Sequence, residues 1–154
     1  MTKLLSDTLP NYLRDLETVV NIDCGTHNKT GVDAVVRVLR ERLREFGAEV
    51  VDYPQTQYGD CIYGRWRGRG YSPTRFNQDV PNVTQGENPR SGRARIVMIG
   101  HTDTVYPDGK ASEFPFRRRG SRIQGCGVDD MKSGLLNGIY AMHALTRTGF
   151  GQFA

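Results

Sequence analysis

The stretch IVMIGHTDTVYPDG, Ile96 to Gly109, runs four apolar residues into a glycine and then presents a histidine and an aspartate two positions apart. Extended back to Ala94, ARIVMIG reads as a strand buried on both faces, because such strands show continuous rather than alternating apolar residues. In open α/β sheets, ligands gather at the carboxyl ends of the strands. His101 and Asp103 fall just past such an end. An imidazole nitrogen there can ligate a metal, and a neighbouring carboxylate can hold the ring or a bound water in place. A histidine that only closes a strand end accounts for His-x-Asp about as well.

The segments around this strand indicate an α/β layer arrangement. Asp7 to Val20 places Leu9, Leu13, Leu16 and Val20 on one helical face, with Ser6 or Asp7 as cap. Val32, Val35, Val36, Leu39, Leu43 and Phe46 define a second helix. Asn28 or Thr30 can cap it, and Gly47 stands where a left-handed residue would end it. AEVVDY (48–53) and CIYGRWRG (61–68) read as strands. Gly70 to Gly92 is rich in Gly, Pro, Asn and Ser without a period, so residues 68–93 are expected to form a mobile or functional loop. FRRRGSRIQG (116–125) reads as a hairpin turning at Gly120. Lys132 to Leu145 reads as a last helix with Leu135, Ile139, Met142 and Leu145 inward.

A second chemical feature is GCGVDDMKSG, Gly125 to Gly134. Two glycines permit a tight path, two adjacent carboxylates follow, and a helix opens. A carboxylate can bridge two divalent ions through its two oxygens. Alone, the pair reads more simply as acids complementing a helix dipole. A phosphate-binding reading fails, because no Gly-Lys-Ser/Thr follows the glycines.

HTDTV, a hydrophobic-aromatic stretch, a hairpin and then GxGxxDMK at this spacing together resemble one family, the cocatalytic zinc peptidases. That family includes glutamate carboxypeptidase, the aminoacylases and succinyl-diaminopimelate desuccinylase. The resemblance covers most of the chain. VNIDCGTHNKTGVD (Val20 to Asp33) looks most like the glutamate carboxypeptidase branch. It implies an α/β, zinc-dependent exopeptidase-like layered sheet with helices on both faces. It implies that His101 binds one zinc, that Asp130 bridges two, and that Asp103 is the catalytic-site carboxylate that orients them. It also implies a cis peptide between Asp130 and Met131. Asp129 stands where the family often has a small residue and is not assigned as a ligand. A nitrogen and oxygen ligand set also accepts cobalt or manganese.

The implied reaction is hydrolysis of a peptide or N-acyl amide bond near a free carboxylate, with a glutamate carboxypeptidase-like exopeptidase preferred over an N-acyl amino-acid deacylase. Downstream of Asp-Met-Lys the family supplies a glutamate pair, a further carboxylate or histidine, a final histidine, and an inserted lid domain that often dimerises. Ala154 falls where the strand leading to the glutamate pair should begin. Residues 1–154 are therefore expected to be the N-terminal part of the catalytic domain, truncated before the later strands and the lid. This chain alone is expected to bind zinc weakly and not to turn over; a homodimer is an expectation for the complete protein. His27 and His143 are expected to be a cap-region residue and a helix packing or surface residue. The competing reading is a non-catalytic remnant that acts as a binding module.

Bulk properties agree with a globular domain. The chain has 154 residues, 37% hydrophobic and 25% charged. No apolar run approaches the ~20 residues of a membrane helix, and MTKLLSDTLPNYL lacks the apolar centre of a signal peptide. The cytosol is the expected compartment, with no membrane partner. The net charge of +4 gathers in GRWRGRG and FRRRGSR. These read as solubilising edges rather than a nucleic-acid footprint, because no aromatic platform accompanies them. Three widely spaced cysteines suggest neither a disulfide framework nor a zinc knuckle.

Overall fold

Helix α2 (Lys29–Glu45) forms where the sequence spaces its apolar residues at helical intervals, and it buries Val32, Val35, Val36, Leu39 and Leu43. Its start is set by Asn28, whose side-chain oxygen accepts from the Gly31 amide at 2.8 Å. That satisfies one of the donors a helix N-terminus leaves open. Its end is set by Gly47, which sits at φ +81 as a left-handed C-terminal residue must. The computed structural model describes residues 2–66 and 97–150.

Before it lies α1 (Thr2–Val20), which begins upstream of the expected Asp7. Leu16, Val19 and Val20 are its buried apolar residues, whereas Leu9, expected inward, is exposed. After α2, strands β1 (Glu49–Tyr53) and β2 (Cys61–Arg65) pair antiparallel, Val51 opposite Tyr63. The Trp66 indole donates to the Phe46 carbonyl at 3.0 Å and ties the hairpin to the end of α2. A short helix α3 (Lys110–Glu113) leads into β3 (Arg117–Arg119) and β4 (Arg122–Gln124), the expected hairpin about Gly120. A kinked turn over Val128–Lys132 then opens α4 (Ser133–Arg147). This helix is rotated from the expected facing. Leu136, Ile139, Tyr140 and Ala144 are buried, and Leu135 and Met142 are half-buried.

The described residues thus combine helices with two small antiparallel sheets. The expected buried strand needs correction. Residues 97–100 form no assigned strand, and Val97 and Ile99 are 75% and 89% exposed. The physical reason is one-sided packing. Met98 lies over Gly138 and Gly100 lies beside Leu135 and Met131, all on α4 or the turn before it. The alternate residues, Val97 and Ile99, point away, and no described strand pairs with them. The expected loop at 68–93 lies outside the described residues, as do Ala94 to Ile96.

The core joins α1, α2 and α4 through Leu16, Val19, Val35, Val36, Leu39 and Leu136. One polar knot runs through it. Asp15 is 6% exposed, and both of its carboxylate oxygens accept from Arg42 at 2.7 Å. The Tyr140 hydroxyl also donates to Asp15, at 2.7 Å. One carboxylate therefore holds a side chain from each of the other two long helices. Burial and this carboxylate push the Tyr140 hydroxyl well above the usual tyrosine range.

Candidate metal centre

The His101 to Thr104 segment is held by the chain that leads into α2. The Thr104 amide donates to the Cys24 carbonyl at 2.8 Å, and Gly25 and Thr104 form a parallel bridge. From the other side, the turn ahead of α4 brings up Asp130. That turn is anchored by Lys132, which is 1% exposed and donates from Nζ to the Ile22 carbonyl at 3.0 Å. The Asp130–Met131 peptide is cis, as the sequence resemblance implied. The same three-residue tract, Ile22 to Cys24, therefore supports both halves of the site. Asp23 adds to this by accepting from the Gly109 and Ala111 amides at 2.8 Å each.

The sequence-assigned residues meet. His101 Nε2 lies 2.9 Å from Asp130 Oδ1. His101 Nδ1 lies 3.1 Å from Asp103 Oδ1 and 3.1 Å from the Asp103 carbonyl. One ring nitrogen thus faces the turn and the other is held by Asp103. The hydrogen bond to Asp130 raises the His101 pKa above its ordinary value; burial opposes this and the Asp103 contacts add to it. The three residues line an open groove of about 520 Å³, together with Tyr106, Phe114 and Ile123. Asp129 is exposed on the same groove.

Tetrahedral zinc takes imidazole nitrogen and carboxylate oxygen at about 2.0–2.2 Å, which places two such donors roughly 3.3 Å apart. The 2.9 Å between His101 Nε2 and Asp130 Oδ1 needs an adjustment of only a few tenths of an ångström. Both donors open to the groove, with Asp130 82% exposed. A histidine whose second nitrogen is held by a carboxylate is the usual arrangement behind a metal ligand. The pair therefore fits a divalent ion. Among the described residues, no group of three or more His, Cys, Asp or Glu side chains converges to hold one.

Comparison with known proteins agrees with this geometry. Residues 97–153 match the model of peptidase family M20/M25/M40. Over those residues the chain is similar to that family. It is also 30% identical over 131 residues to carboxypeptidase G2 of Pseudomonas sp. (strain RS-16), a match covering 84% of this chain and 26% of that protein. The chain thus spans about a quarter of the length of this relative. No described helix is long and apolar enough to cross a membrane.

The other two histidines stand apart from the centre. His143 stacks on Phe46 with ring centroids 3.8 Å apart, and His27 is exposed in the turn before α2, against Tyr58. Thr26 is the residue that sequence reading missed. Its hydroxyl donates to Asp103 Oδ2 at 2.5 Å across 77 positions of chain. Nothing in a linear pattern marks a threonine beside a turn as a partner of so distant a carboxylate.

Proposed function

We propose that this chain supplies part of the active site of a zinc-dependent hydrolase of peptide or N-acyl amide bonds, with a glutamate carboxypeptidase-like exopeptidase as the preferred activity. The observation that carries the reading is the convergence of His101 Nε2 and the Asp130 carboxylate in an open groove, with Asp103 on the opposite ring nitrogen. His101 would hold one zinc ion and Asp130 would bridge two. Cobalt or manganese would suit the same donors. Bound zinc would supply Lewis acidity toward a carbonyl oxygen and a lowered pKa for water.

The chain's own residues prepare that chemistry. Asp103 holds the imidazole through Nδ1, and Nε2, now 2.9 Å from Asp130 Oδ1, would turn its lone pair to a metal placed between the two. The turn anchored by Lys132 fixes the approach of Asp130. Tyr106, Phe114 and Ile123 give the groove an apolar side against which a substrate's non-reacting portion can lie. The substrate class proposed is a small peptide or N-acyl amino acid. Nucleic acid and membrane are not proposed as partners. A catalytic zinc site normally has three protein ligands and a water, so the two donors here call for further ligands. We propose that the 154-residue chain is the N-terminal part of a longer catalytic domain and has no turnover by itself.

The test begins with the mass of the native protein in its source cells, probed with an antibody to this chain. The native species is then assayed on acyl-glutamates and on N-acetyl amino acids. Chelator-sensitive hydrolysis restored by zinc supports the reading, and the preferred substrate separates carboxypeptidase from deacylase. A native species of 17.3 kDa, the mass of this chain, with no metal-dependent hydrolysis would overturn it in favour of a non-catalytic binding module.

A further inference from the structure

We infer that Thr26 is a positioning residue for the metal centre, acting through Asp103 on the His101 ring; the inference rests on the metal reading of His101. A carboxylate has two oxygens, and both are engaged here. Oδ1 of Asp103 is 3.1 Å from His101 Nδ1, and Oδ2 accepts from Thr26 Oγ1 at 2.5 Å. The first contact alone leaves the carboxylate free to rotate about its last bond, because terminal sp³–sp² torsions are broad. The second contact fixes that rotation and aims Oδ1 at the ring. Hydrogen bonds to a carboxylate are stronger than neutral ones, and the exposed Thr26 hydroxyl has a carboxylate as its acceptor.

A positioning residue must itself be held, and Thr26 is. It lies in the turn Gly25 to Asn28, closed by the Asn28 amide on the Gly25 carbonyl at 2.7 Å. Asn28 is also the cap of α2, and its side-chain amide donates to Asp108 Oδ1 at 2.6 Å. On the other flank, Gly25 is bridged to Thr104, the residue after Asp103. Gly25 has no side chain because a Cβ there would lie 2.7 Å from the Tyr106 carbonyl oxygen. The turn and the His101–Tyr106 segment are therefore in close backbone contact. The hydroxyl of Thr26 is the side-chain link that carries this registration to the metal-facing ring. Valine at position 26 keeps the shape and removes the donor, whereas serine keeps the donor.

Two measurements on the whole chain test this. Cobalt is titrated into wild type, Thr26→Val and Thr26→Ser. Loss of a group that orients a metal-binding histidine typically weakens metal affinity 10–100-fold. Thr26→Val is expected to show a loss in that range, and Thr26→Ser to bind within about threefold of wild type. Unfolding midpoints are recorded alongside; a purely structural role would move the midpoint and leave the affinity of the folded protein unchanged.

The second measurement is independent of metal. In an Asp130→Ala background the remaining described partners of the His101 ring are the Asp103 carboxylate and the weaker, neutral Asp103 carbonyl, both on Nδ1, so at alkaline pH nitrogen NMR should report the Nδ1–H tautomer. Adding Thr26→Val should shift the ring toward a mixture of tautomers, and adding Thr26→Ser should not. If this chain, with only two donors, binds no cobalt, the metal reading is judged on the native protein and the tautomer decides whether Thr26 positions the ring. The inference is overturned if Thr26→Val matches its parent in the tautomer measurement, or binds cobalt as tightly as a wild type that binds it.

Discussion

Replacing Arg42 with methionine should destabilise this protein by about 3 kcal/mol, since breaking a buried ion pair typically costs roughly 3–5 kcal/mol. The side chains of Arg42 and Asp15 are 15% and 8% exposed, so water can replace little of what is lost. Methionine retains the apolar stem that Arg42 packs against its neighbours. It removes two hydrogen bonds of 2.7 Å and leaves the Asp15 carboxylate with the Tyr140 hydroxyl as its remaining partner among the described residues. The guanidinium also lies 5.4 Å from the Phe46 ring centre, a contact worth about 0.5–1 kcal/mol at exposed sites. Its further pair with Glu45 has one end 62% exposed and adds little. Arg42 is not fully enclosed, so the lower end of the range applies. Urea unfolding at neutral pH is the assay. Asp15→Leu combined with Arg42→Met should recover most of the loss, because an apolar pair has no stranded charge. A cost below about 1 kcal/mol for Arg42→Met, the level of an exposed ion pair, would show that Asp15 is not a buried hub.

Further outcomes follow from the site and its supports. His101→Ala should abolish metal binding, and Asp103→Ala should weaken it about 10–100-fold, as loss of an outer carboxylate does; calorimetric zinc titration reads both. Gly25→Ala should cost about 1–3 kcal/mol, typical of overpacking, because the new methyl would meet the Tyr106 carbonyl oxygen rather than a flexible side chain; thermal unfolding checks it. His143 has a pKa lowered first by burial and then by Arg147, so the folded state resists its protonation. Its contribution to stability is present above the unfolded value near pH 6.5 and is lost as pH falls through the folded pKa. Wild type should therefore lose more stability than His143→Phe on going from neutral to mildly acid pH, read as the change in urea midpoint.

Local signals settled much of this protein. Asn28, the five apolar positions of α2 and Gly47 state a helix and both of its ends, because capping and amphipathic spacing are properties of neighbours in the chain. The β3–β4 hairpin about Gly120 was legible for the same reason. His101, Asp103 and Asp130 were singled out by the family resemblance, their motifs alone leaving other readings open, and the fold brings all three into contact. ARIVMIG was misread where the structure describes it. Apolar composition states that a segment can be buried, but burial also needs neighbours on both sides. Among the described residues Met98 and Gly100 lie against α4 on one side, and Met98 is still 56% exposed. Leu9 failed similarly, and the facing of α4 was right at Ile139 but shifted elsewhere, since several faces of a helix can satisfy a 3.6-residue period and the packing partner selects one.

What only the tertiary structure decided is the set of contacts between positions far apart in the chain. Asp15 meets Arg42 and Tyr140 across 27 and 125 positions, and Thr26 meets Asp103 across 77. A buried carboxylate must find donors wherever the packed helices place them, and no local pattern encodes which donors those are. The sequence by itself pointed to the proposed metal chemistry, because histidine and aspartate carry donor atoms of their own. The structure chose the residues that aim them, because aim is a property of position in space.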